Sequence, residues 1–156
     1  MASAGENASA GEIAEAIEFG EIIFLSIPYF ALEQFGKDHG RALAGKIVIE
    51  TGNPYPERDG AIGTEVRESP FGTGHYSALW LPGVRLVRGF NSVWDGTLVK
   101  EAHRSPPQVG IPLASDDAAA MEIVAKLVGE AGFDPVTIGG LKLRRLERSS
   151  LPSEVK

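Results

Sequence analysis

The chain has 156 residues, 43% of them hydrophobic, which is enough apolar material for one compact domain. Its formal net charge of −6 argues against the broad positive surface that nucleic acid or an anionic membrane would require. The absence of cysteine excludes disulfides, thiolate metal sites and a cysteine nucleophile. We therefore expect a cytoplasmic protein whose partners are small molecules or other proteins.

The predicted elements begin after a polar stretch, residues 1–11, which we expect to be flexible. A short helix over residues 12–19 precedes an apolar run that is too short to cross a bilayer and is interrupted by Pro28. Four more apolar runs follow, almost continuous rather than alternating, as is typical of parallel strands covered on both faces. The five predicted strands are residues 22–27, 46–51, 84–90, 109–114 and 135–139.

Helices are predicted between these strands. The clearest covers residues 116–131, with Ser115 as its cap and one apolar face. A second covers residues 29–43, although Gly36 and Gly40 are expected to weaken its later part. Shorter helices are predicted over residues 73–81, 96–104 and 141–148.

Two segments are predicted to lack regular structure. Residues 53–69 contain two prolines and several charged side chains, a composition that indicates a long loop. Residues 149–156 are polar and are expected to form a flexible tail. Residues 12–148 are predicted to form one α/β domain.

Ligands of parallel α/β sheets bind beyond the carboxyl ends of the strands, so the residues at those ends are the candidate binding residues. Three predicted strand ends combine a small or rigid backbone with polar or aromatic side chains. The residues are Ile27, Pro28 and Tyr29 at the first end, Asn53 and Pro54 at the second, and Phe90, Asn91 and Ser92 at the third. The Asn53-Pro54 step is equally explained as a turn, Phe90 as a core aromatic and Asn91 as a cap.

The order and spacing of these strand ends resemble the F420-dependent NADP reductase family. Residues 24–29 resemble its apolar strand that ends in Val-Pro or Ile-Pro, and residues 45–55 resemble its second landmark. Residues 81–93 resemble the stretch that ends in an Ala-Phe-Asn-Thr-type motif, with Gly89 and Ser92 as small departures. Residues 111–117 and 131–141 resemble its closing strand, helix and strand.

This resemblance implies an α/β, Rossmann-like fold, with a mostly parallel sheet and flanking helices. It also implies hydride transfer between NADP(H) and a deazaflavin (F420) or flavin-like cofactor. The candidate cofactor-binding residues at the three strand ends would then lie near the nicotinamide-ribose half of NADP(H). Such a reaction requires close placement of two cofactors and no strong acid-base group.

The sequence departs from the family at its N-terminal end. Family members begin with a strand, a glycine-rich turn, a helix and a second strand, and none of these precedes Glu12. Gly72-Thr73-Gly74 lacks the third glycine of a G-x-G-x-x-G pattern. We therefore expect an N-terminally truncated domain that binds NADP(H) weakly, because the turn and helix that normally hold the pyrophosphate are missing.

No catalytic residue and no metal site is predicted. The three histidines are scattered, and Asp116-Asp117 is explained by the favourable position of acids at a helix start. One alternative function stays open, a non-catalytic α/β module or enzyme remnant. It would act through a homodimer or a partner chain that covers the exposed edge of the first strand. A further alternative is that the front of the domain is encoded just upstream.

Overall fold

The computed structural model describes residues 7–142. Within this part of the chain, helices alternate with strands, as the sequence predicts for an α/β protein. The helices are α1 (Ile13–Phe19), α2 (Leu32–Leu43), α3 (Pro56–Glu68), α4 (Thr73–Trp80), α5 (Asp95–Glu101) and α6 (Ala118–Glu130), with a short 3-10 helix at Tyr29–Ala31 before α2. The strands are β1 (Ile22–Leu25), β2 (Ile47–Glu50), β3 (Arg85–Arg88), β4 (Gly110–Ala114) and β5 (Asp134–Gly139).

The strands form one sheet in the order β1-β2-β3-β4-β5. The first three are parallel, and β5 is parallel to β4, so the prediction of a mostly parallel sheet is confirmed. β4 runs antiparallel to β3 and pairs with it at a single position, Arg88 with Ala114. Since β4 reaches this position only at its last residue, its preceding four residues extend about 13 Å beyond the end of β3.

Two layers of side chains bury the two faces of the sheet. On one face, Val48 and Leu86 pack against α1 to α4 through residues such as Leu43 and Leu81. On the other face, Val87 and its neighbours pack against α6. All four residues of β2 are buried, which explains why its sequence is continuously apolar up to Glu50.

Helix α2 continues unbroken to Leu43, so Gly36 and Gly40 do not end it early. Gly36 has a packing role, since a side chain there would collide with the backbone carbonyl of Trp80 at the end of α4. Gly40 has no heavy atom within 4 Å of the place where a Cβ would lie. The first glycine permits close contact between two helices, while the second costs helix propensity without such a contact.

The predicted loop at residues 53–69 is wrong, because α3 occupies Pro56–Glu68. Proline is tolerated in the first helical turn, and Gly60, with φ of 61°, introduces a kink. Val66 is buried, and Ile62, one turn before it, packs against the same core. Burial of these apolar side chains stabilises a helix that the local composition does not favour.

Helix α6 begins two residues later than predicted, and its cap is Asp117 rather than Ser115. The Asp117 carboxylate accepts a hydrogen bond from the amide of Ala120 at 2.9 Å. The Ser115 hydroxyl donates instead to the carbonyl of Leu86 at 2.6 Å, which ties α6 to β3. The predicted helix at 141–148 and the predicted tail at 149–156 lie almost wholly outside the described residues.

Candidate functional site

A cleft of about 480 Å³ lies at the carboxyl ends of β2 and β3. The loops that follow these strands form one side of it, and the end of α3 and the start of α4 form another. The projecting part of β4 and its partner β5 supply a wall through Pro112, Ala114 and Ile138. Because β4 runs antiparallel to β3 and extends past its end, β4 and β5 flank the cleft.

A hydrogen bond joins the two strand-end loops directly. The side-chain amide of Asn53 donates to the backbone carbonyl of Asn91 at 2.6 Å. Pro54 and Ser92, their neighbours in the chain, line the same cleft. Four of the eight candidate residues are therefore brought together at one border of the sheet.

The other four candidates lie elsewhere. Ile27 lines a separate groove beside β1, and Pro28 is exposed just before the 3-10 helix. Phe90 has a φ of 60° and packs edge-on against Phe24, with ring centroids 5.4 Å apart. Tyr29 is only 1% exposed and belongs to the core, and it does not line the cleft. The chain turns inward after Pro28, which places the Tyr29 ring under α4.

A network of buried polar side chains lies beneath the cleft, which only Arg88 among them lines. Arg88 at the end of β3 forms an ion pair with Glu50 at the end of β2, and the two residues are paired in the sheet register. Ser77 of α4 donates to the same carboxylate at 2.8 Å, and Arg88 also donates to the carbonyl of Gly52 at 2.7 Å. These bonds attach the loop that carries Asn53 to both the sheet and α4.

The phenol of Tyr29 extends this network. It donates to the carbonyl of Thr73 at 2.9 Å and lies 3.2 Å from the Ser77 hydroxyl. Burial raises the pKa of Tyr29 well above its ordinary range, and burial also raises the pKa of Glu50, an effect that Arg88 opposes. The network is therefore a rigid support beneath the cleft in which the phenol stays protonated.

The same loop is held by a second carboxylate. Asp59, 6% exposed, accepts hydrogen bonds from the amides of Phe30 and Tyr55 and forms an ion pair with Arg58. The hydrogen bond from Arg58 holds the pKa of Asp59 below its ordinary value. Arg58 also donates to the carbonyl of Asn53 at 2.8 Å. The backbone on both sides of Pro54 is consequently fixed.

The polar character of the cleft is cationic. Arg67 and Arg88 line it, and among its described lining residues there is no aspartate, glutamate or histidine. This arrangement suits an anionic or carbonyl-bearing ligand and provides no carboxylate or imidazole for proton transfer.

Sequence reasoning missed the buried polar network beneath this site. Glu50 and Arg88 each interrupt a predicted apolar strand near its end, and a charge of opposite sign at each of these places was the available signal for an ion pair. Arg67 was missed because it lies in the segment assigned to a loop. Gly72 and Thr73, at the start of α4, also line the cleft, although the sequence pattern there indicates only a helix and an incomplete glycine motif.

The fold matches solved structures of several reductases. A protein from Arthrobacter sp. FB24, described as a candidate F420-dependent NADP reductase, superposes with a TM-score of 0.68 at 21% identity, covering 82% of this chain and 59% of that one. The fold is shared. A hypothetical protein from Sinorhizobium meliloti gives a TM-score of 0.66 at 19% identity, covering 88% of this chain and 65% of that one. An imine reductase from Myxococcus stipitatus, in complex with NADP+, gives a TM-score of 0.56 at 15% identity, covering 85% of this chain and 40% of that one.

These likenesses establish an α/β, Rossmann-like fold of the kind found in NADP-dependent reductases. The chain spans 59% and 65% of the length of the first two structures that it matches. No protein-family model and no curated protein matches the sequence. No helix within residues 7–142 is long and apolar enough to cross a membrane.

Proposed function

We propose that the cleft binds the nicotinamide-ribose half of NADP(H) and that the chain serves an oxidoreductase of the F420-dependent NADP reductase type. The hydride would pass between NADP(H) and a deazaflavin or flavin-like cofactor. The proposal is supported by one observation above all, the hydrogen bond between Asn53 and Asn91 that joins two strand ends beside a cationic cleft. We propose the cytoplasm as its location, since the chain has no cysteine.

The dimensions and polarity of the cleft fit such a ligand. Its volume of about 480 Å³ lies within the usual range of small-molecule sites, roughly 300–1,000 Å³. Asn53, Asn91 and Ser92 provide amide and hydroxyl groups at its border, while Pro112 and Ile138 provide apolar surface. A ring carrying a carboxamide requires this combination of a flat apolar wall and a few fixed polar groups.

The residues of this chain would act by positioning. NADP(H), when bound, supplies the hydride chemistry. Asn53 and Asn91 would orient the ligand at the sheet border, Arg88 would hold the loop of Asn53 in place, and the wall of β4 and β5 would exclude water on one side. Hydride transfer requires no general acid or base, in agreement with a described lining that has no carboxylate or imidazole.

An NADPH titration tests the binding step. Energy transfer from Trp80 and Trp94 to bound NADPH reports occupancy, and Asn53→Ala and Asn91→Ala should each weaken binding at least tenfold. Asn7→Ala removes an amide far from the cleft and is the matched control. We expect a dissociation constant above the low-micromolar range, because the sequence carries no G-x-G-x-x-G turn for the pyrophosphate. Equal binding by all four proteins would contradict the proposed site.

A second assay tests the reaction. NADPH is mixed with oxidised F420, and separately with FMN, and the absorbance of each acceptor is followed. Reduction of F420 that is lost in Asn53→Ala would support the proposed activity. NADPH binding without reduction of either acceptor would show that the chain binds NADPH but does not catalyse the reaction. It would contradict the proposed oxidoreductase activity.

The alternative function is a non-catalytic α/β module that works through another chain. The exposed apolar edge of β1 favours it, since Phe24 is 55% exposed. A chain of this kind would bind no NADPH even at millimolar concentration. The titration therefore separates the two functions.

A further inference from the structure

One side of the cleft carries a positive charge that no described carboxylate balances. Two arginines line the cleft, Arg88 and Arg67. Arg88 is paired with the buried carboxylate of Glu50, so its charge is balanced within the protein. Arg67 is exposed and forms no ion pair with any carboxylate of residues 7–142. The net charge of the described lining residues therefore comes from Arg67.

The acidic neighbours of Arg67 on α3 lie outside the cleft. Glu65 and Glu68 are not among the residues that line it. Glu65 instead accepts a hydrogen bond from the Tyr76 phenol at 3.3 Å. Val66, next to Arg67 in the last turn of α3, is buried in the core and also lines the cleft. The backbone that carries Arg67 is therefore fixed to the core.

Two residues with hydroxyl groups lie on the same side of the cleft. Ser69 ends α3 and Thr73 begins α4, and both line the cleft. The Ser69 hydroxyl accepts a hydrogen bond from the amide of Phe71 at 3.1 Å and keeps its own hydrogen for a further acceptor. The Thr73 carbonyl accepts from the phenol of Tyr29 at 2.9 Å, which fixes its backbone. A guanidinium and hydroxyl groups on one side of a cleft suit an anionic oxygen group such as a phosphate.

The two sides of the cleft suit the two partners of a hydride transfer. The hydride acceptor has to lie face to face with the nicotinamide ring. Under the proposed function that ring lies at the border formed by Asn53 and Asn91, on the strand-end side of the cleft. The acceptor is then left with the side formed by the end of α3 and the start of α4, where Arg67 lies. Flavin mononucleotide and F420 carry a phosphate on the chain attached to their ring, so a phosphate enters the cleft with the ring.

We propose that Arg67, with the hydroxyl groups of Ser69 and Thr73, binds the phosphate of the flavin-like hydride acceptor. This inference rests on the proposed function, to which it adds a residue that selects phosphorylated acceptors. Arg67 touches the phosphate and not the reacting ring. It therefore raises the affinity for the acceptor and leaves the rate of hydride transfer in the bound complex unchanged.

FMN and riboflavin test the proposal, because they share one ring system and differ only in the phosphate. Quenching of flavin fluorescence measures the affinity for each in the absence of NADPH. FMN should bind about tenfold or more tightly than riboflavin, and added salt should reduce this difference. F420 and its phosphate-free deazariboflavin core form a second pair, with the same expected difference.

Variants of Arg67 assign the difference to one side chain. Arg67→Gln removes the charge from an exposed position, so the fold should be retained. It should lower the affinity for FMN to that for riboflavin, while the riboflavin affinity changes by less than about twofold. Arg67→Lys keeps the charge but loses the planar guanidinium, so its affinity for FMN should be intermediate. Arg41→Gln, an exposed arginine in the last turn of α2, is the matched control and should bind FMN like the original protein.

Kinetics separate binding of the acceptor from the reaction itself. With NADPH and FMN, Arg67→Gln should raise the KM for FMN about tenfold or more and change kcat by less than about twofold. The NADPH dissociation constant of Arg67→Gln should also change by less than about twofold.

Three results would overturn the proposal. The first is the absence of any difference in affinity within both pairs, including no binding up to about 1 mM. The second is an equal loss of FMN affinity in Arg41→Gln. The third is a loss of NADPH affinity in Arg67→Gln with flavin and deazaflavin affinities unchanged, which would assign the phosphate to NADP(H). Failure of the proposed function has a different signature, because Asn53→Ala and Asn91→Ala would then bind NADPH like the original protein.

Discussion

Glu50 and Arg88 occupy paired positions at the ends of β2 and β3, and their side chains form an ion pair beneath the cleft. Glu50 is 2% exposed and Arg88 is 6% exposed, so both charges are removed from water. The pair is completed by Ser77 and by the backbone of Gly52. A pair with this many partners fixes the loop that begins the candidate site.

Arg88→Met should destabilise the protein by about 3–5 kcal/mol, because it leaves the Glu50 carboxylate buried without its partner. The double variant Glu50→Gln/Arg88→Met should recover part of this loss. Urea unfolding followed by circular dichroism measures both. Arg85→Met is the control on the same strand, since its ion pair with Asp117 is about one-third exposed and its removal should cost less. A double variant no more stable than Arg88→Met would contradict this account.

Two glycines of α2 should respond in opposite directions to alanine. Gly36→Ala places a Cβ against the backbone of Trp80 and should cost about 1–3 kcal/mol. Gly40→Ala meets no atom within 4 Å and should stabilise the helix by about 0.5–1 kcal/mol. Thermal unfolding of the two variants is the measurement. Similar shifts in both would show that α2 and α4 do not pack as described.

Asp117 should contribute stability that depends on pH. Hydrogen bonds from the Arg85 guanidinium and from the amide of Ala120 lower the pKa of Asp117 from 3.8 to about 2. A carboxyl with a lower pKa in the folded chain stabilises the fold above its unfolded value, and this contribution is lost as the pH falls through about 2. Asp117→Asn should therefore be less stable than the original protein at pH 6, with a difference that shrinks below pH 3.8. The urea concentrations at the unfolding midpoint, measured from pH 6 downward, check this prediction. The pH dependence of the stability difference should be weaker when Asp117→Asn is made in an Arg85→Met background.

Tyr29→Phe separates a core role from a binding role. Loss of the hydroxyl removes hydrogen bonds to Thr73 and Ser77 and should lower stability by about 1 kcal/mol. Since the ring is buried, the NADPH dissociation constant should change by less than about threefold. A larger change, measured by the same tryptophan-to-NADPH energy transfer, would show that Tyr29 takes part in NADPH binding.

The five strands could be predicted because continuous apolar runs such as Ile47–Glu50 are a local property of the chain. Asn53 and Asn91 could be selected because both follow such a run. The first three strands are shorter than predicted, since pairing stops where β1, β2 and β3 reach Leu25, Glu50 and Arg88 together. An apolar residue beyond that point, such as Ile27, has no partner strand to extend the ladder.

The amino-acid sequence by itself determined the fold class, the sheet strands and two of the loops that border the cleft. The reason is that a continuous apolar run is a property of neighbouring residues. Tertiary structure alone decided that α3 forms, that Tyr29 is buried and that Glu50 meets Arg88. Each of these depends on contacts between residues far apart in the chain. Burial and electrostatic pairing of that kind outweigh local propensity, and they cannot be read from the order of residues.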